Sequence, residues 1–244
     1  SVKEYALKGY PNIEYIRISS FDKNVVKSLK RILAKMRNKK GIIIDLRNNP
    51  GGLLNQALGT LDLFISDGKL LSEKGRNKSE DKTWYAHSAG TYKHIPIVIL
   101  VNGGSASASE IVSGGMQDRK RAVIIGEKTF GKGSVQAIIP INKYEAVRLT
   151  IAKYYLPSGR TIQAVGVTPD IIVKPAKIVP IKDDGLDIKE SELKDHLKAE
   201  LAKNKKSKKI KLNNKVKEKD VKDDNQLQTA IAALKAIIIS KEGE

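Results

Sequence analysis

Hydrophobic and polar positions fall into two alternating patterns along this chain. Short β-branched runs at the start of Gly41–Gly52, at Ile95–Val101 and at Ala122–Ile125 each end in a glycine-rich or asparagine-rich turn, as buried strands do. Other stretches repeat every three or four residues. Val25, Val26, Leu29, Ile32, Leu33 and Met36 predict one amphipathic helix after Phe21-Asp22, and Leu53 to Ile65 predicts a second. A third begins after the serines at 105, 107 and 109, with Ile111, Val112 and Met116 at helical spacing. Repeated strand, turn and helix units predict an α/β core.

The remaining patterns are less regular. YIRISSF, ending at Phe21, reads as a strand entering a turn, and SVQAIIPI from Ser134 alternates like a strand. The polar stretch Ser66 to Lys93 reads as a strand pair or a long loop, with Trp84 and Tyr85 inside it. That aromatic pair could line a peptide groove or tuck over the core edge. Tyr144–Tyr155 and Thr161–Ala164 read as strands on either side of the turn Leu156-Pro157-Ser158-Gly159-Arg160.

Composition changes the picture mainly near the end. Between Lys198 and Lys222 there are eleven lysines and three acids, with too little apolar surface to order such a stretch. The expected organisation is a core at 1–175, a flexible lysine-rich insertion at 176–224, and a C-terminal helix at 225–244 carrying Leu227, Ile231, Leu234 and Ile238. A net charge of +18 predicts nonspecific attraction to polyanions, including peripheral attraction to an anionic membrane. With 5% aromatic residues and no recognition motif, specific nucleic-acid binding is not expected. The chain has no cysteine for a disulfide framework and no apolar run long enough to cross a bilayer.

Candidate chemistry gathers at residues 95–136. A serine where a strand turns into a helix meets unpaired N–H groups and the positive end of the helix dipole, a setting that suits an attacking oxygen. The same residues have a plainer reading. Ser107 with Glu110 fits a capping box, and Ser105 could equally be the cap. The three histidines, His87, His94 and His196, lie in polar or charged stretches and read as solvated surface. Lysine is the remaining candidate base, and it serves only where desolvation or nearby positive charge lowers its pKa. Lys132, between Gly131 and Gly133 after Thr129-Phe130, is the one lysine in an uncharged, tightly turned, apolar-looking setting. Gly126 to Lys132 also matches the first seven positions of a phosphate-binding loop. Gly133 stands where a Ser or Thr must hold magnesium, and a strand-like run follows instead of a helix, so no nucleotide site is expected.

NGGSASASEIVSGGMQD followed by RAVIIGEKTFGKGSVQ resembles the signature of the carboxyl-terminal processing (tail-specific) proteases, which use a Ser-Lys dyad. The resemblance covers about residues 12–173 and includes GIIIDLRNNPGG, YY-PSGR-IQ and the stretch Gly166 to Ile171. It implies Ser107 as nucleophile and Lys132, 25 residues on, as general base. It also implies that Gln136 orients the lysine, that Asp118 supports the site, and that Gly51 or Gly52 together with Ala108 supplies the oxyanion hole. Asp45 and Arg47 read instead as a structural ion pair at a strand end.

The fold implied is the spiral ββα core shared with Clp proteases and crotonases, with a C-terminal helix folding back on the N-terminal strands. The substrates implied are unstructured polypeptides or protein C-termini. No metal or nucleotide is required. The bacterial envelope or periplasm is the implied location, and an export signal could lie upstream of Ser1. In the family a PDZ domain precedes this strand and helix; the residues before them here do not form one, so the expectation is either a piece of a longer chain or a variant that works without that module. A homo-oligomer is compatible with the sequence. A non-hydrolytic binding relative of the same fold is the competing reading, and the joint presence of Ser107, Lys132 and Gln136 argues against it.

Overall fold

The computed structural model describes residues 1–176, 217–219 and 221–243. Most of the lysine-rich insertion and His196 lie outside the described residues. The strands are β1 (Val2–Leu7), β2 (Ile13–Ile18), β3 (Gly41–Asp45), β4 (Lys69–Gly75), β5 (Lys82–Tyr85), β6 (Ile97–Val101), β7 (Val123–Gly126), β8 (Ser134–Pro140), β9 (Ala146–Tyr155), β10 (Ile171–Ile172) and β11 (Lys217–Lys219). The helices are α1 (Val25–Leu33), α2 (Leu54–Asp62), α3 (Ala108–Asp118) and α4 (Asn225–Glu242).

The main sheet runs in the order β10-β7-β6-β3-β2-β1-β11, and every neighbouring pair is parallel except β1 with β2. Its central strands are continuous hydrophobic runs because both faces are covered. Alternate residues serve different cores. Ile16, Ile18, Ile42, Ile44, Ile97, Ile99 and Val101 pack towards α1, α2 and α3. Tyr15, Ile43, Val98, Leu100 and Ile125 pack towards Leu227, Ala230, Ile231 and Leu234 of α4. Burying each of these leucines and isoleucines contributes about 2 kcal/mol, so α4 is held by its apolar stripe. Asp224 caps α4, its side chain accepting from the Leu227 amide at 2.9 Å.

A second, antiparallel sheet, β5-β4-β9-β8, leans on the same core. The strand-pair reading of Ser66–Lys93 thus holds. Trp84 packs partly buried against the core, while Tyr85 is exposed. No helix among the described residues is long and apolar enough to cross a membrane.

Two expectations differ from the structure, at Thr161–Ala164 and Lys217–Lys219, and two placements add to what the sequence suggested. The N-terminal stretch contributes two strands, because β1 folds back antiparallel on β2. Thr161–Ala164 is not a strand: Thr161 makes one bridge to Tyr155, and the chain then turns, with Ala164 at φ 60 and Gly166 at φ 71. Lys217–Lys219, inside the segment expected to be flexible, extends the sheet as β11 beside β1, since a sheet edge can order a polar strand through its backbone alone. Helix α4 lies mainly over β3, β6 and β7, and it also packs on the N-terminal strands through Tyr5, Leu7, Ile13 and Tyr15 and on the turn between them, where Lys235 stacks over Tyr10.

Candidate active site

Strands β2, β3, β6 and β7 are parallel, so their carboxyl ends share one edge of the sheet, where open α/β sheets place ligands. There the turns 46–52, 102–107 and 127–132 meet. Ser105 joins two of them: its hydroxyl donates to the Leu46 carbonyl at 2.8 Å and accepts from the Asn102 amide at 3.0 Å. Asn49 joins them again. Buried, it accepts from the Ala106 amide and the Ser109 hydroxyl on its carbonyl, and its side chain donates to the Ile18 carbonyl.

Ser107 sits at the junction between the β6 turn and α3 with φ 54 and ψ −113. A non-glycine residue in this left-handed region is strained, and such strain persists only where the surroundings impose it. Glu110 imposes it. Its fully buried carboxylate accepts from the Ser107 amide at 2.8 Å, closing the capping box that the sequence suggested. It also accepts from the Thr129 hydroxyl at 2.5 Å, the Gly131 amide at 2.7 Å and the Lys132 amide at 2.8 Å. One side chain thus fixes both the serine backbone and the lysine backbone. Sequence reasoning gave Glu110 only the first of these contacts, because the other three come from a loop about 20 residues away.

Lys132 does not have the surroundings the sequence suggested. Gly131 and Gly133 take the packed positions, against residues 164–166 and against Gln163, and the lysine between them is left exposed. Gln136, on β8, is also exposed and makes no side-chain hydrogen bond among the described residues. Asp118, nearly buried, accepts from the Ser158 amide at 2.9 Å and pairs with Arg160 at 2.8 Å, so it anchors the Pro157–Arg160 turn rather than reaching Ser107.

The glycine turn is pressed against the serine. A Cβ on Gly51 would lie 2.9 Å from the Ser107 Cβ and 2.9 Å from the Ala108 nitrogen. The Gly51 amide already donates to the Asn49 side chain at 2.9 Å. Gly52 differs. Its neighbours bond to Phe21, through the Gly51 carbonyl and the Leu53 amide, so by strand alternation the Gly52 N–H faces the other way. Neither the Gly52 amide nor the Ala108 amide has an acceptor among the described residues.

Asp45 and Arg47 form the buried ion network expected of them. Asp45 accepts from the Tyr15 hydroxyl, from Arg17 at 3.1 Å and from Arg47 at 2.8 Å. Arg47 continues to Asp224 at 2.8 and 2.9 Å, tying the end of β3 to the cap of α4. Burial works to raise the Asp45 pKa, but the Arg47 and Tyr15 hydrogen bonds and the Arg47 charge outweigh it and hold the carboxyl below its usual range. His87, bonded to Asp62, and His94 are exposed and lie before β6, at the sheet edge opposite Ser107.

A strained serine between a parallel strand and a helix, with free amides beside it, is the nucleophile-elbow geometry of α/β hydrolytic enzymes. The comparisons with known proteins specify the group. Residues 12–173 match the model of Peptidase family S41, and the chain belongs to that family. It is 41% identical over 243 residues to a carboxy-terminal-processing protease of Bartonella bacilliformis, covering 96% of this chain and 54% of that protein. A Synechocystis carboxyl-terminal-processing protease is 36% identical over 165 residues, covering 67% and 38%. Among solved structures, the photosystem II D1 C-terminal processing protease superposes with a TM-score of 0.61 at 32% identity, covering 67% of this chain and 42% of that one. The chain therefore spans about half the length of the Bartonella relative or less of the others. The mixed α/β core is that of S41 peptidases, of the Clp and crotonase type expected from the sequence.

Proposed function

We propose that this chain is the catalytic core of a serine endopeptidase that cleaves unstructured or C-terminal regions of proteins with Ser107 as nucleophile and Lys132 as general base. The observation that carries the reading is the Glu110 bridge, which joins the strained serine to the backbone of the lysine loop. A purely structural cap has no need to bind a lysine loop so far away in sequence.

The reaction is acyl transfer to water. Lys132 is exposed in the free chain, so the bound peptide must cover it. The desolvated, neutral amine then takes the proton from the Ser107 hydroxyl as Oγ bonds to the peptide carbonyl carbon. The oxygen of the tetrahedral intermediate is held by the Gly52 and Ala108 amides, each contributing about 3 kcal/mol. Protonated Lys132 then donates to the leaving amine as the C–N bond breaks. The acyl-serine is hydrolysed by a water that the same lysine activates. Gln136, exposed and without a side-chain hydrogen bond among the described residues, takes up its orienting contact with the lysine when substrate covers both side chains. Asp118 supports the site at a distance by holding the Pro157–Arg160 turn. No step uses a metal or nucleotide. Substrates must be extended to reach an edge formed by three turns. The relatives' printed names support action at protein C-termini. An extracytoplasmic setting such as the bacterial periplasm is part of the same proposal and rests on the resemblance alone.

The test is cleavage of casein by this chain from pH 6 to 10, beside Ser107→Ala and Lys132→Ala. Cleavage that rises with pH and is lost in both variants is expected. Full activity in Ser107→Ala would refute the proposal.

A further inference from the structure

The N-terminus of α4 lies at the edge of the sheet that carries Ser107. Leu234 packs on Gly41 at the start of β3, whereas Asp224 and Gln226 meet Arg47 just past its end, so helix and strand run antiparallel. Gln226 is 3% exposed, and both ends of its amide are used. Its carbonyl oxygen accepts from Arg47 Nη1 at 3.0 Å, and its NH₂ donates to the Val173 carbonyl at 2.7 Å. Those two partners lead to different turns. Arg47 lies in the turn 46–52, which carries Gly52. The Val173 amide donates to the Gly126 carbonyl at 2.8 Å, and Gly126 is the last residue before the turn 127–132, which carries Lys132. Asn225 fastens the same segment, accepting from the Ala176 amide and donating to the Lys174 carbonyl.

We propose that Gln226 is a positioning residue for the peptidase reaction, setting the spacing between the oxyanion turn and the lysine loop where both leave the sheet; this rests on the reading of Gly52 as oxyanion donor and Lys132 as base. Glu110 joins Ser107 to the lysine loop, but its hydrogen bonds do not reach the 46–52 turn. Gln226 supplies that connection from outside the site. Packing alone has no need of it, because Leu227, Ala230, Ile231 and Leu234 already hold α4, and a buried amide is costly unless both its ends are bonded. Arg47 is rigid enough to pass the constraint on. Asp45 and Asp224 each grip its guanidinium through two nitrogens, and its backbone amide and carbonyl are bonded to Asp45 and Arg17. A guanidinium that shifts therefore carries the start of the turn with it. Donors and base displaced in this way cost rate while substrate still binds, so the loss falls on kcat.

The experiment compares Gln226→Met, which keeps the length of the side chain and removes both bonds, with Leu234→Ala, which loosens the same helix at the far end of β3. On casein, Gln226→Met is expected to lower kcat about 10-fold with KM within about twofold. Leu234→Ala should keep kcat within about twofold even though its urea midpoint falls at least as far. Amide hydrogen exchange over residues 46–53 and 127–133, read by mass spectrometry, needs no catalysis. It should be at least about fivefold faster in Gln226→Met and unchanged in Leu234→Ala. Full activity in Ser107→Ala refutes the catalytic reading, and the exchange data then decide the bridge by themselves. Equal kcat in the two variants, or exchange at both turns that Gln226→Met leaves unchanged, overturns the proposal.

Discussion

Replacing Glu110 with glutamine tests whether one buried carboxylate holds the site together. Its Oε1 accepts from Thr129 and Gly131, and its Oε2 accepts from Ser107 and Lys132. Glutamine keeps the shape but turns one oxygen into a donor. Placed at Oε2, the new NH₂ faces two amide N–H groups. Placed at Oε1, it faces the Gly131 amide and a Thr129 hydroxyl that already accepts from the Val167 amide at 2.7 Å. Either orientation leaves at least one buried N–H without an acceptor, at about 1–3 kcal/mol, and removes one or two charge-assisted bonds at about 1.5–3 kcal/mol each. A net loss of about 3–5 kcal/mol is expected, measured as a lower urea midpoint with an unchanged slope. Under conditions where the variant stays folded, kcat on casein should fall about 100-fold, because displacing the serine or the lysine by even 1 Å is felt at the reacting atoms. Stability within 1 kcal/mol of the parent together with activity within about threefold would refute this account of Glu110.

Other residues give independent checks. Asp45 has a folded pKa held below the ordinary value of 3.8, so its contribution is present above that pH and is lost as pH falls through the folded pKa. Acid unfolding should therefore steepen below pH 3.8, and Asp45→Asn should be less stable at neutral pH with that part of the pH dependence missing. Gly51→Ala should lose at least about 100-fold in kcat, since its Cβ would lie 2.7 Å from the Ala106 carbonyl and 2.9 Å from the Ser107 Cβ at φ 102; kinetics on folded variant decide this. Asp118→Asn should destabilise the chain by about 1–2 kcal/mol through its lost pair with Arg160, with proteolysis appearing first at the Pro157–Arg160 turn.

What the sequence alone determined were the local features. The β-branched runs read as buried strands, and α3 and α4 were legible from their apolar spacing, because periodicity is a property of neighbouring residues. The motifs around Ser107 and Lys132 carried the family, and a charge at each end of DLR carried its ion pair. Tertiary structure decided what depends on segments distant in the chain. The three contacts of Glu110 with the 129–132 loop arise only when β6 and β7 lie side by side. The choice between Gly51 and Gly52 turns on Asn49, whose side chain takes the Gly51 amide, and on Phe21, whose backbone pairing leaves the Gly52 amide free. The exposure of Lys132 follows from where residues 162–166 pack, and β11 from the free edge of β1. Local pattern fixes which element a residue joins, whereas hydrogen-bond partners and burial are fixed by whatever the fold brings against it.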